Sequence, residues 1–263
     1  MLNKLLKYDL KYMIKNMSVF YILAIFFGIT TRILFSLNQT VIVNIISQIS
    51  VGCMFAMVTN ILINTIMRSW VRFRDSIYKD EAYLTHTLPV TKNAIYNSKF
   101  IQTLIFFVIG FIIIVLTLFI VYYTKDRWFM LKDLINTIVA GLNFRTTLFV
   151  VSMLAVIFLE IFNAIQCGFL GIILGYKRNN NKIGFSVVFG FIAYLLSQSL
   201  VLLLIYFVGL FNSSIMELFK NNVMLDANSF KLLVILAIIL YILIIFLMSI
   251  VCKKELSNGV NIE

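Results

Sequence analysis

Glu160 is the residue whose type and setting most invite chemistry, because it is a carboxylate in the middle of a long apolar run. Asn163 follows one helical turn later and Gln166 lies close to the same face, so a helix here carries a polar stripe. Polar groups at such a depth rarely face lipid. Two interpretations stay open: the stripe lines a substrate path or gate, or it joins neighbouring helices through hydrogen bonds, with Glu160 neutral.

Other apolar runs contain polar residues that allow the same two interpretations. Asn60 and Asn64 lie in the second run and Gln198 in the fifth. Contact between helices is the simpler explanation for these three. Gly171 and Gly175 have the small-residue spacing that lets two helices approach closely.

The chain lacks the residue combinations that catalysis, metal binding and nucleotide binding require. A hydrolase inside a membrane would need a nucleophile with a base, paired carboxylates or clustered histidines, and the apolar runs offer one carboxylate and no histidine. His86 is the single histidine, and Cys53, Cys167 and Cys252 share no ligand spacing. Neither a phosphate loop nor a dinucleotide-binding turn occurs. We therefore expect no enzyme activity and no metal or cofactor bound by this chain.

The runs that carry these residues are long enough to cross a bilayer. The 263-residue chain is 62% hydrophobic and only 13% charged, whereas about a quarter of a soluble domain is charged. A membrane span needs about 20 apolar residues. We predict one all-α integral membrane domain over residues 1–263, with six transmembrane helices at about 18–37, 41–67, 100–123, 147–174, 183–211 and 232–251.

Basic residues predict the orientation. The net charge is +11, but basic residues beside membrane spans are ordinary topology determinants, so no nucleic-acid partner is expected. The loop 68–99 is the densest basic segment, and it is assigned to the cytoplasm with both termini. Residues 1–17 alternate lysines with apolar residues at helical spacing, which predicts an amphipathic helix lying on the membrane before the first span. The mixed-charge loop after span three is expected outside, with a short interfacial helix.

The loop between spans two and three is the most informative segment. Its pattern predicts two short helices hinged at Pro89, with an apolar face made by Tyr83, Leu84 and Leu88. Thr91 is placed to cap the helix that leads into span three. From the residues alone, this segment is either a solvated connector or an amphipathic element that sits in a groove of a partner.

The same loop resembles the permease subunits of type-2 ATP-binding cassette (ABC) exporters. The resemblance lies in Asp80-Glu-Ala-Tyr-Leu-Thr-His-Thr-Leu-Pro-Val-Thr-Lys92, followed by Ser98-Lys99 before the third span. It implies a cytoplasmic coupling helix between spans two and three that docks on a separate ATPase subunit. The residues that carry over to this role are Glu81, Tyr83, Leu84, Thr87, Leu88 and Pro89.

The resemblance also implies partners and a location. ATP and magnesium would bind to the ATPase, and a second permease chain, identical or different, would complete a dimer in a bacterial cell membrane. The cargo would be amphipathic, peptide-like or hydrophobic, and resistance or immunity to a membrane-active peptide is one role that fits.

Two other functional classes are alternatives to the permease. A non-transporting sensor or scaffold would use the same loop to bind a partner. An ion-coupled carrier should show paired intramembrane acids and broken helices, and this chain has one such acid and no intramembrane proline.

Overall fold

The computed structural model describes residues 2–38, 40–79, 81–141, 145–217 and 227–259, and within these ranges the chain is helical throughout, without strands. The helices of the described ranges are α1 (Leu2–Ser36), α2 (Val41–Tyr78), α3 (Ala82–Thr87), α4 (Lys92–Tyr122), α5 (Lys125–Gly141), α6 (Thr146–Gly175), α7 (Lys182–Gly209), α8 (Ser213–Glu217) and α9 (Ala227–Ser257).

Six of these helices are long and apolar enough to cross a membrane: α1, α2, α4, α6, α7 and α9. This confirms the prediction of an all-α chain with six candidate spans. The sequence bounds agree closely for α6 and α7, which begin and end within a few residues of spans four and five.

The segment 68–99, predicted as a cytoplasmic loop with two short helices, is largely helical. α2 continues past Met67 to Tyr78, and α4 begins at Lys92 rather than near Phe100. At 1.5 Å per residue, the 38 residues of α2 extend roughly 57 Å, well beyond a hydrocarbon core of about 30 Å. α2 is therefore longer than a membrane crossing needs, and between α2 and α4 only the short α3 and its two connections interrupt the helical chain.

The first seventeen residues also differ from expectation. They do not form a helix separate from the first span, because α1 is continuous from Leu2 to Ser36. Asp9, Met13 and Met17 are buried at successive turns and continue the packed stripe of the span. A helix that is packed along this whole stripe has no reason to break near Ser18.

The described chain divides into two helical units, and the first covers residues 1–129. In unit 1, α1 packs against α2 and α4, α2 packs against α4, and α3 rests on α2. The central apolar cluster is formed by Ala24, Met54, Val58, Ile61, Ile114 and Val121.

Unit 2 covers residues 130–261. Here α6 packs against α7 and α9, and α7 also contacts α8. A Cβ atom on Gly171 would lie 2.5 Å from the Cα of Gly190, and one on Gly175 would overlap Ser186. Glycine is therefore required where α6 and α7 cross, as the Gly171 and Gly175 spacing predicts. We call these four residues the glycine crossing.

Two expected loops contain further helices. α5 occupies most of the segment after span three, where a short helix was expected. The segment expected after span five, 212–231, contains α8 and the start of α9, and its residues 218–226 lie outside the described residues, as does Asp80.

Candidate functional site

Charged side chains converge where α2 and α4 meet the short α3. We call this region the charged end of unit 1: residues 2–17 of α1, 68–78 of α2, α3, and 92–103 of α4. Asp9 enters it from α1 because it shares the buried stripe of Met13 and Met17. The lysines of α1 at positions 4, 7, 11 and 15 are exposed on its other faces.

Asp9 is at the centre of this region and accepts bonds from two other helices. Arg72 of α2 lies with Nε and Nη2 each 3.0 Å from Oδ1, and Lys99 of α4 places Nζ 2.5 Å from the same oxygen. Ser98 donates its hydroxyl to Oδ2 at 2.8 Å. One carboxylate thereby joins α1, α2 and α4.

These charges are removed from solvent. Asp9 is 2% exposed, Lys99 5% and Arg72 8%. A buried charge is costly unless it is paired and hydrogen-bonded, and here each cation has a carboxylate within bonding distance. Loss of Asp9 would remove the one carboxylate that both buried cations share.

Arg72 also reaches the beginning of α3. Its Nη1 donates to both carboxylate oxygens of Glu81, at 2.6 and 2.5 Å, and its guanidinium carbon lies 4.6 Å from the centre of the Tyr12 ring. Glu81 is the N-cap residue of α3, yet its side chain makes no capping bond. The carboxylate binds Arg72 instead.

α3 has one buried side and one exposed side. Ala82 and Thr85 are buried, whereas Tyr83 is 61% exposed and Leu84 73% exposed. The side chain of His86 lies 3.1 Å from the backbone oxygen of Ile77 in α2. The remaining predicted coupling residues, Thr87, Leu88 and Pro89, are also exposed.

The turn after α3 follows the predicted chemistry. Leu88 has an extended backbone before Pro89, as a residue that precedes proline should. Thr91 then accepts a hydrogen bond from the amide of Ala94 at 3.3 Å, which confirms the predicted cap of α4.

The polar residues predicted within the spans fall in different units. In unit 1, Asn60 and Asn64 donate to carbonyl oxygens one turn back in their own helix, at Ala56 and Asn60. In unit 2, the buried Asn163 donates to Ser197 of α7 at 2.9 Å.

The other three residues of that set are also in unit 2. Gln198 accepts a bond from the hydroxyl of Tyr241 at 3.4 Å. Gln166 is buried and Glu160 half-buried on α6. Asn163 and Gln198 thus take part in contacts between helices, and both interpretations of Glu160 remain open.

Sequence reasoning did not identify Asp9 or Arg72 as a pair. One signal was available, since Asp9 is the only acid before Asp75 and is spaced by four residues from Met13. An acid on the apolar stripe of a lysine-rich helix calls for a buried cation. Its partner is 63 residues away, and nothing local in the sequence indicates which cation it is.

The buried ion pairs can hold α1, α2 and α4 in register. The exposed apolar side of α3 can bind another surface. Among the described residues, no group of three or more His, Cys, Asp or Glu side chains is placed to hold a metal ion. Comparisons with family models, with curated proteins and with solved structures give no match. A functional assignment therefore depends on the residues themselves.

Proposed function

We propose that this chain is the membrane-spanning permease subunit of an ABC exporter and that α3 docks on a separate ATPase subunit. The observation that carries the proposal is the form of α3. It is anchored by a buried side and an ion pair at its start, and it exposes Tyr83, Leu84 and Leu88 at the end of unit 1. The resemblance of this segment to the coupling loop of type-2 permeases supports the same role.

The exposed side of α3 suits a groove on a partner. An amphipathic helix that docks in this way presents apolar side chains at helical spacing, and Leu84 and Leu88 are one turn apart. Large apolar side chains that fill partner pockets dominate the binding energy of such interfaces. Glu81, half-exposed beside them, adds a charge at the rim.

The position of α3 also suits the transmission of movement. It is joined by a few residues on each side to α2 and α4, which are two of the candidate membrane helices. A displacement of α3 by an ATPase would therefore act directly on both. In this proposal ATP and magnesium bind to the ATPase, and a second permease chain completes the dimer.

The proposed cargo is amphipathic, peptide-like or hydrophobic, and the proposed location is the bacterial cell membrane with α3 and both termini in the cytoplasm. Export of a membrane-active peptide, giving resistance or immunity, is the role we favour. Glu160, Asn163 and Gln166 on α6, with Gln198, are the residues to substitute in a search for the cargo path.

The proposal is tested by purifying the tagged chain from the cells that encode it and measuring the ATP hydrolysis that accompanies it. The test variant is Leu84→Asp with Leu88→Asp. We expect loss of the partner, because burying two carboxylates where two leucines docked weakens binding by about 100-fold or more.

The matched control is Leu131→Asp with Leu134→Asp in α5, where both leucines are also exposed. This control should retain the ATPase. An ATPase that stays bound to the α3 variant would contradict the proposed docking site. If no ATPase accompanies even the unaltered chain, the sensor or scaffold replaces the permease as the better explanation.

A further inference from the structure

We propose that Asp9 of α1 is the positioning residue of α3: by holding one edge of the Arg72 guanidinium, it directs the other edge to Glu81 and so fixes α3 on α2. The only part of this inference that rests on the proposed function is its consequence for ATPase docking. The positioning itself is a property of the single chain.

The geometry of Arg72 carries the first step. Nε and Nη2 face Asp9, and Nη1 faces Glu81, so the two carboxylates occupy different edges of one planar group. Because the guanidinium is rigid and planar, fixing one edge fixes the direction of the other. The ring of Tyr12, also in α1, lies against the guanidinium and limits its rotation.

The second step is that α3 needs an external anchor. It has six residues, far fewer than an isolated helix requires for stability in water, and its N-cap residue provides no side-chain cap. The Arg72 bonds to Glu81 secure its first turn. The other contacts are the buried Ala82 and Thr85, and His86 against the backbone of α2.

The third step is that Asp9 is itself held firmly. Lys99 and Ser98 of α4 both donate hydrogen bonds to its carboxylate, and α1 packs along α4. If Arg72 is displaced, Asp9 therefore cannot move with it unless α1 shifts against α4. A shift of the N-terminal part of α1 would change the position of α3 through Arg72, although α1 and α3 are separated by two chain connections.

The experiment measures hydrogen exchange of residues 82–88 in the purified chain without an ATPase. Asp9→Asn should raise the exchange of this segment by roughly tenfold, because it removes charge-assisted hydrogen bonds that orient Arg72. Glu81→Gln should have a similar effect. The double variant should exchange no faster than either single variant, since both act through the same guanidinium.

The matched control is Asp75→Asn. Asp75 pairs with Arg74 on the same helix at 2.8 Å, whereas Arg72 pairs with Asp9 and Glu81, so neutralising Asp75 should leave the exchange of 82–88 unchanged. Peptides from α6 and α7 in unit 2 report in each sample that the chain is folded.

Two further variants separate positioning from simple loss of structure. Arg72→Lys keeps the charge but has no second edge, and it should release α3 as Asp9→Asn does. Ser98→Ala is a smaller change, because it removes one hydrogen bond to Asp9 and leaves every charge in place. It should raise the hydrogen exchange of residues 82–88 a few-fold.

The inference is overturned if Asp9→Asn and Ser98→Ala leave α3 as protected as in the unaltered chain while Glu81→Gln releases it. Arg72 would then hold Glu81 without help from α1. That result would not contradict ATPase docking through Leu84. Conversely, loss of the docking proposal would not contradict the positioning of α3 by Asp9, because the exchange is measured without an ATPase.

Discussion

The charged end of unit 1 and the glycine crossing of unit 2 hold helices together by opposite means. At the charged end, side chains of opposite charge meet between helices and are bonded in a fixed geometry. At the glycine crossing, Gly171 and Gly175 of α6 have no side chains, and their backbone lies against Gly190 and Ser186 of α7. The first contact can pass a displacement from one helix to another through its bonded side chains, whereas the close backbone contact leaves little room for α6 to shift against α7.

This difference indicates where movement is expected. Arg72 binds two carboxylates, so a change at either can be passed to the other. The crossing at Gly171 has no group that can exchange a partner. We therefore expect unit 1 to receive and transmit displacement through α3, and α6 and α7 to move as one body.

The largest effect on stability is expected at Arg72. Arg72→Met leaves Glu81 unpaired and removes one of the two cations of the buried Asp9, and breaking a buried pair costs about 3–5 kcal/mol. Unfolding of the detergent-purified chain by heat or denaturant measures the loss. An unchanged unfolding midpoint would show that the buried charges contribute little to holding unit 1.

The next effect is expected at the glycine crossing. Gly171→Ala places a methyl group against the backbone of Gly190 and Ser186, and overpacking of this kind costs about 1–3 kcal/mol. Gly52→Ala is the matched control, because a Cβ there has open space within 4 Å. The same unfolding assay should show lower stability for Gly171→Ala and no loss for Gly52→Ala. Equal stability of the two variants would contradict a close backbone contact at Gly171.

A smaller effect is expected at the helix caps. Thr91→Ala removes the bond to the Ala94 amide and should cost about 1 kcal/mol. Thr40 caps α2 at the same distance of 3.3 Å, so Thr40→Ala is its control. Both should lower stability similarly, but only Thr91→Ala should increase hydrogen exchange in the turn between α3 and α4. An equal increase in hydrogen exchange in both variants would show that the turn between α3 and α4 does not depend on the Thr91 cap.

The smallest effect is expected at the half-exposed pair of Arg74 and Asp75. Asp75→Asn should change stability by less than about 1 kcal/mol, because solvent screens the pair. Unfolding at low and high salt checks this, and the small difference should vanish at high salt. A loss as large as that of Arg72→Met would mean that burial does not distinguish the two ion pairs.

The sequence predicted the all-α class and the six candidate spans because each span depends on a local run of apolar residues. It also predicted the Thr91 cap and the exposed apolar side of Leu84 and Leu88, which are set within one or two turns. The glycine crossing was predicted as a close approach, although its partner helix was not.

The charged end was predicted only in part, for a physical reason. Arg68, Arg72 and Arg74 after an apolar run indicate a polar loop, and α2 continues as helix there because Arg72 has a buried partner. That partner is contributed by α1 and is found only when three helices are assembled. The local pattern thus predicted the exposed apolar side of α3 and missed the residues that hold the helix in place.

The most direct test of the central claim is photo-crosslinking from α3 to the proposed ATPase subunit. Leu84 is replaced by p-benzoylphenylalanine in the full chain, with Leu134 of α5 as the matched position, and the crosslinked products from native membranes are identified by mass spectrometry. We expect a crosslink from position 84 to a protein that carries a phosphate loop, and none from position 134. Capture of lipid alone from position 84, or of the same ATPase from both positions, would contradict it.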